Sequence, residues 1–298
     1  MKLTDPTHGL KHTALEALEL EGETLGAHRD FWDRSAGVDS LTAVVADNDE
    51  RGYQSSGRAE AEALRRLLGP DATVLDVGCG TGRVMEHLAP WCREVHGIDI
   101  SERMVQGGRE RLGHLANVHV HHGNGYDLAG FEDGSFDVVY SIVALQHMPR
   151  TVAYNYLLES YRVLRQGGVL WLYVPNLLRD DGFAAFHHFS QPWFVSHPYP
   201  MNFYTPQELS RLLVAAGFWL DHLSDELRAE AHKTGSAGVS EQAQELVGLH
   251  DAERQRLAQR NAELERALAR IRSHPLVRLA SAARRRSRRR AARGGHEP

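Results

Sequence analysis

The run Val74-Leu75-Asp76-Val77-Gly78-Cys79-Gly80-Thr81-Gly82-Arg83-Val84 constrains the fold of this chain more than any other segment. Val74, Leu75 and Val77 make a short apolar, β-branched stretch that reads as a buried strand, and three glycines at alternate positions follow at once. Gly78, Gly80 and Gly82 let the backbone turn sharply into a helix and let a ligand approach without a Cβ in the way. His96-Gly97-Ile98-Asp99-Ile100 then closes a second short apolar strand with a carboxylate, seventeen residues after Gly82. An acidic side chain at that place can accept hydrogen bonds from both hydroxyls of a ribose.

The glycine spacing separates two cofactor classes. A dinucleotide fold calls for G-x-G-x-x-G with a pyrophosphate on the helix N-terminus, whereas this chain has G-x-G-x-G with Asp76 two residues ahead. Further strands follow in register. Asn117 to His121 is a third, leading to Gly123-Asn124-Gly125-Tyr126-Asp127. Asp137 to Ser141 is a fourth, opening into Ile142-Val143-Ala144-Leu145-Gln146-His147-Met148-Pro149. Gly167 to Pro175 is a fifth, entered by a helix from about Thr151 to Arg165. Strand and helix alternate throughout, which independently argues a doubly wound α/β sheet with helices on both faces and its ligand at the strand carboxyl ends.

From about Ala61 to Leu223 these segments resemble the class I S-adenosylmethionine-dependent methyltransferases, a Rossmann-like fold. The resemblance implies S-adenosyl-L-methionine as cofactor and assigns roles along the chain. Asp76 and the Gly78, Gly80 and Gly82 backbone hold the methionine end, Asp99 holds the ribose, and Ile100 packs against the adenine. Asn124 and the Gly125 amide read the adenine edge; many relatives carry Asp at position 124, and the Asn amide oxygen can still accept that bond. Ser141 and Gln146 lie at the mouth of the fourth strand, where similar enzymes contact the cofactor. Arg58, just before the first helix of the domain, pairs with the cofactor carboxylate or is a plain surface arginine.

His147 follows the fourth strand near the expected methyl group. It reads either as a general base, since imidazole titrates near neutrality, or as a residue fixing the loop by hydrogen bonds. The other histidines form adjacent pairs such as His121-His122 and His187-His188, without the H-E-x-x-H or paired C-x-x-C spacing of a metal site, so none is assigned. The aromatic stretch from Phe183 to Tyr199 precedes a helix introduced by Thr205-Pro206-Gln207-Glu208, a capping box with proline at N1. It reads as a pocket lid or as packing under a long loop. His28, Phe31, Trp32 and Tyr53 near the N-terminus are further candidates to cover the cofactor.

Composition narrows the partners. The net charge of −5 hides nine arginines against one glutamate from Arg272 to Pro298, a net +8, which leaves −13 on everything before it. An acidic body argues against a broad nucleic-acid-binding face. Only Cys79 and Cys92 occur, which excludes a disulfide framework and suits a reducing compartment. No apolar run approaches the ~20 residues of a membrane span, so cytoplasmic residence is the expectation.

The expected organisation is a helical N-terminal cap over residues 1–60, the methyltransferase domain over 61–233, a linker at 234–240, a helix at 241–274 and a basic tail at 275–298. In the helix, Leu257, Leu264 and Ile271 at d with Asn261 at a give a heptad register over its second half, which reads as a two-stranded coiled coil joining a homodimer or as a single solvated or body-packed helix. The arginine run Arg284 to Arg290 reads as attraction to an anionic membrane surface, as attraction to nucleic acid, or as a solubilising tail. Together these features predict methyl transfer by in-line displacement to a small-molecule or glycan acceptor, at oxygen. A nucleic-acid or protein methyltransferase recruited by the tail and a non-catalytic cofactor-binding scaffold are the alternatives.

Overall fold

The computed structural model describes residues 19–39, 50–191 and 201–234. Two helices, α1 (Glu19–Asp39) and α2 (Glu50–Leu64), precede the sheet. Then come β1 (Thr73–Val77), α3 (Met85–Leu88), β2 (Glu94–Asp99), α4 (Glu102–Leu112), β3 (Val118–His122) and β4 (Phe136–Ile142). The chain continues through α5 (Arg150–Val163), β5 (Leu164–Tyr173), α6 (Asp180–Phe189), α7 (Pro206–Ala215), β6 (Phe218–Leu223) and β7 (Arg228–Lys233).

The seven strands form one sheet in the order β3-β2-β1-β4-β5-β7-β6. β1 to β5 pair in parallel, and β7 runs antiparallel between β5 and β6. β1 is buried along its whole length, which explains why its sequence is apolar at consecutive positions. Its alternate residues feed two cores. Leu75 and Val77 join Val139, Leu170 and Leu172 beneath α5 and α7. Val74 joins Val138, Tyr140 and Trp171 beneath α2, α3 and α4.

The expected sheet and its helices on both faces are present, with the fifth strand beginning at Leu164, earlier than Gly167. Leu164 already pairs with Phe136, and an irregularity between Phe136 and Val138 absorbs the extra residues. The boundary expected at residue 60 falls inside α2. Tyr53, Gly57, Ala61 and Leu64, spaced by four, four and three, form one continuous buried face, so the helix packs on the sheet as a unit. Thr205 caps α7 as expected, its hydroxyl accepting the Glu208 amide at 3.2 Å, while the Glu208 carboxylate turns outward to Arg150. Cys79 and Cys92 are buried free thiols. No helix among the described residues is long and apolar enough to cross a membrane. The coiled-coil and basic-tail segments, and residues 192–200 of the aromatic stretch, lie outside the described residues.

The strand order reverses between β1 and β4: the chain runs outward through β2 and β3, then crosses back to β4 and β5. The crevice at the carboxyl ends of strands at such a reversal is where open α/β sheets bind ligands.

Candidate cofactor cleft

At that reversal a cleft of roughly 800 Å³, its open mouth included, is lined by Gly78 and Gly80 after β1, Asp99 and Ile100 after β2, Gly125 after β3, and Ile142 and Val143 after β4. Gly78 turns at φ +80°, and a Cβ built on it would lie 2.4 Å from the Cβ of Ala144. The first glycine of the run is therefore required twice, by backbone conformation and by the close approach of the β4 loop. Val143, next to Ala144 and in the cleft wall, itself has φ +58°, a strained conformation for a β-branched residue and one that clusters at functional sites.

Asp99 sits where the sequence puts it. Its Oδ2 accepts the Gly80 amide and its Oδ1 the Ser101 amide, both at 2.9 Å, so the carboxylate braces the glycine turn against the start of α4. Burial raises its pKa, opposed by those two amides. Ile100 and Gly125 are neighbours in the wall: Gly125 adopts φ +81°, and a Cβ there would meet the Ile100 side chain at 2.2 Å.

Other expected residues lie close to the cleft without lining it. Asp76 is buried beneath the turn, opposite Tyr140 in the strand register, and burial pushes its carboxyl up to about 7, with the Arg83 charge pulling the other way. The Tyr140 hydroxyl is close to that carboxyl without meeting hydrogen-bond geometry. Gly82, at φ +82°, is packed against Leu112 and Met85 of the helices behind. Ser141 is also spent on structure, its hydroxyl donating to the Val77 carbonyl at 2.8 Å and tying β4 to β1. Gln146 is buried, and its backbone carbonyl accepts from Asn202.

Two expected cofactor contacts are not brought to the cleft. The Asn124 side chain is exposed, and its oxygen already accepts the Tyr126 and Asp127 amides at 2.8 and 3.0 Å, a local turn that takes up both lone pairs. Arg58 is exposed on α2. Gly57 is the residue that faces inward, so close to Arg83 that a Cβ would meet the Arg83 carbonyl at 2.4 Å, and one step along a helix turns Arg58 away.

Arg83 occupies the cleft instead. It is 8% exposed, it is the only lysine or arginine among the lining residues, and its Nε is buried without a hydrogen-bond partner. A buried guanidinium with a spare donor fits an incoming carboxylate. The backbone cradle, Asp99 and Arg83 together offer what S-adenosylmethionine presents: an aminoacid end with a carboxylate, and a ribose with two donors.

The far wall is imidazole and indole. His28 and Trp32 of α1 line the cleft with His147, which follows β4 in a short 3-10 turn, Leu145–His147. The Trp32 and His147 rings meet edge to face at 5.2 Å, and Trp32 Nε1 donates to His28 Nε2 at 3.0 Å. This wall changes the expected chemistry of His147. Burial, with His28 beside it, lowers its pKa to about 4, so the ring is neutral at neutral pH and does not titrate there. Local sequence gave no sign of this, because the covering residues come from a helix more than a hundred positions upstream.

The linkage has a definite sign. A histidine whose folded pKa is depressed contributes nothing adverse above the unfolded value near 6.5, and its burial costs progressively more as pH falls from there toward 4. For His147 that loss amounts to about 3 kcal/mol by pH 4. A proton NMR titration of the full chain should show the His147 ring shifting only near pH 4. A midpoint near 6.5 would show that the ring is not enclosed by the α1 wall.

Among the described residues one trio, Asp221, Glu230 and His232, places possible metal-ligand atoms together, but Glu230 is engaged by Arg66, and none of the three lines the cleft.

Residues 74–168 match the family model described as "Methyltransferase domain". A demethylmenaquinone methyltransferase of Staphylococcus aureus (strain JH9) is 33% identical over 214 residues, 64% of this chain and 84% of that protein. One from Staphylococcus haemolyticus is 37% identical over 102 residues, 32% of this chain and 40% of that protein. The Haemonchus contortus phosphoethanolamine N-methyltransferase 1, solved with phosphoethanolamine and S-adenosylhomocysteine, shares the fold at 17% identity with a TM-score of 0.55, over 79% of this chain and 55% of that one. With the strand order, the glycine cradle and these relatives in hand, the chain belongs to the class I S-adenosylmethionine-dependent methyltransferases.

Proposed function

We propose that the enzyme methylates a small, ring-bearing acceptor with an acidic hydroxyl, phenolic or enolic, held against the His28, Trp32 and His147 wall. The observation that carries this reading is the His147 imidazole enclosed edge to face by Trp32 in the same cleft as the cofactor cradle. Bound S-adenosylmethionine supplies a methyl group on a good leaving group. The protein then has to align the nucleophile, exclude water and receive a proton.

His147 sets the acceptor class. A base whose conjugate acid has a pKa of about 4 is a weak one. A phenol at about 10 is some six units closer to it than an aliphatic hydroxyl, taken as about as acidic as water, which favours the phenol by roughly 8 kcal/mol in proton transfer. Between the small-molecule and glycan acceptors, this favours a planar small molecule over a sugar hydroxyl. Trp32 offers an aromatic surface for such a ring, and Met148 and Ile142 complete an apolar lining that keeps water out. The staphylococcal relatives, by their names, act on demethylmenaquinone, a small molecule. In the same reading Asp99 takes the ribose hydroxyls, Arg83 takes the cofactor carboxylate, and Ile100 and Gly125 flank the adenine.

The test is a panel of hydroquinones, phenols, sugars and oligonucleotides incubated with the full chain and S-adenosylmethionine, followed by mass spectrometry for the gain of one methyl. Methylation confined to sugars or nucleic acid would overturn the acceptor assignment. For the cofactor half, Asp99→Ala should weaken S-adenosylmethionine binding by about 1.5 to 3 kcal/mol in calorimetry, the worth of hydrogen bonds to a charged acceptor. Unchanged affinity in a folded variant would remove Asp99 from the ribose.

A further inference from the structure

The described side chains of α1 offer little apolar surface with which to hold the helix over the cleft. Between Gly26 and Ala36 its large apolar side chains are Phe31 and Trp32 alone, beside His28, Arg29, Asp30, Asp33 and Arg34. A helix so polar needs specific anchors to stay docked. Asp33 is one. Its Oδ1 accepts the Ser101 hydroxyl at 2.6 Å and the Arg103 amide at 3.3 Å, placing a carboxylate at the N-terminus of α4, where the helix dipole favours it.

Ser101 is fully buried and serves three groups at once. Its hydroxyl donates to Asp33 while accepting the Met104 amide at 3.2 Å as the N-cap of α4, and its own amide donates to Asp99. Asp99 in turn holds the Gly80 amide. A continuous chain of hydrogen bonds therefore runs from the cap helix, through Ser101, to the carboxylate assigned to the ribose. The same helix carries His28 and Trp32, four residues apart on the face that lines the cleft.

We propose that Asp33 is a positioning residue that couples the seating of α1, and with it the His28 and Trp32 wall of the acceptor pocket, to occupation of Asp99 by the cofactor ribose. The coupling rests on the reading of Asp99 given above. Its physical basis is the shared hydrogen-bond relay. A seated cap fixes Ser101, whose amide orients the Asp99 carboxylate, and a ribose held by Asp99 keeps that orientation in return. Cofactor binding thus favours the seated cap, and the seated cap favours the cofactor by the same factor. The acceptor wall is then held more firmly on the loaded enzyme.

Hydrogen exchange of the full chain with and without S-adenosylhomocysteine, paired with calorimetry, tests this. In the wild type, peptides covering residues 26–36 should gain protection when the ligand binds. Asp33→Ala should abolish that gain and weaken ligand affinity by about tenfold, within the usual range of coupling between sites, with the ligand-free protein still folded by circular dichroism. Asp33→Asn keeps an acceptor oxygen for Ser101 and Arg103 and should restore most of the protection. Ligand binding to the wild type without any change over residues 26–36 overturns the coupling, as does an Asp33→Ala variant with wild-type affinity or wild-type protection. A wild type that binds no S-adenosylhomocysteine, or an Asp99→Ala variant that binds it normally, instead strikes the ribose reading beneath.

Discussion

Replacing Gly78 with valine is expected to abolish measurable S-adenosylmethionine binding and to cost the fold about 2 to 6 kcal/mol. Two penalties add. At φ +80° a β-branched residue is strained by about 1 to 3 kcal/mol. Its Cβ would also stand 2.4 Å from that of Ala144, an overlap whose relief by backbone shift costs about 1 to 3 kcal/mol more. The shift would be taken up in the β4 loop and the turn itself, which are both cleft walls, so the ligand site deforms along with the fold. Gly167 supplies the control. It has φ +76° with open space around its Cβ position, so Gly167→Ala should show the conformational penalty alone, about 1 kcal/mol, with cofactor affinity intact. Thermal unfolding and calorimetry on both variants would check this. Normal binding by Gly78→Val would mean that the cofactor does not use this turn.

The second large effect belongs to Arg83. If its guanidinium takes the cofactor carboxylate, Arg83→Leu should weaken S-adenosylmethionine binding by about 2 to 5 kcal/mol, the cost of removing one partner of a buried, hydrogen-bonded charge pair. Decarboxylated S-adenosylmethionine makes the experiment specific. The wild type should bind it more weakly than the intact cofactor by a comparable amount, and the Leu variant should bind the two alike. A variant that still discriminates between them would place the carboxylate elsewhere. Arg83 also opposes the rise in the Asp76 pKa, so the Leu variant should hold Asp76 protonated to higher pH.

Arg83 also shows where sequence reasoning reaches its limit. The strand, the glycine turn and Asp99 were legible because each is a local requirement: a strand buried on both faces is mostly apolar, and a turn at positive φ favours glycine. The same holds for Thr205, whose hydroxyl caps its own helix. The choice between Arg58 and Arg83 was not local, since it depends on which face of α2 is turned inward. A signal was nevertheless there. Tyr53, Gly57, Ala61 and Leu64 trace the buried stripe, and a glycine in such a stripe marks close approach to something bulky. Asn124 likewise stands in an Asn-Gly-Tyr-Asp run whose amides its own side chain can cap. The low pKa of His147 had no such trace, because it is created by residues of α1 meeting it in space.

The position of β7 has a consequence for the order in which the molecule is made. It is the last strand in the described chain, yet it lies inside the sheet, hydrogen-bonded to β5 on one side and β6 on the other. Until Arg228 to Lys233 leave the ribosome, β6 has no strand to pair with and β5 presents an unpaired edge rich in leucine. β1 through β5 can assemble as they emerge, and the cofactor cleft lies among them. During that interval the nascent protein carries an open, apolar edge of the kind that pairs with other chains, and its yield in a cell depends on how quickly the final hairpin closes it.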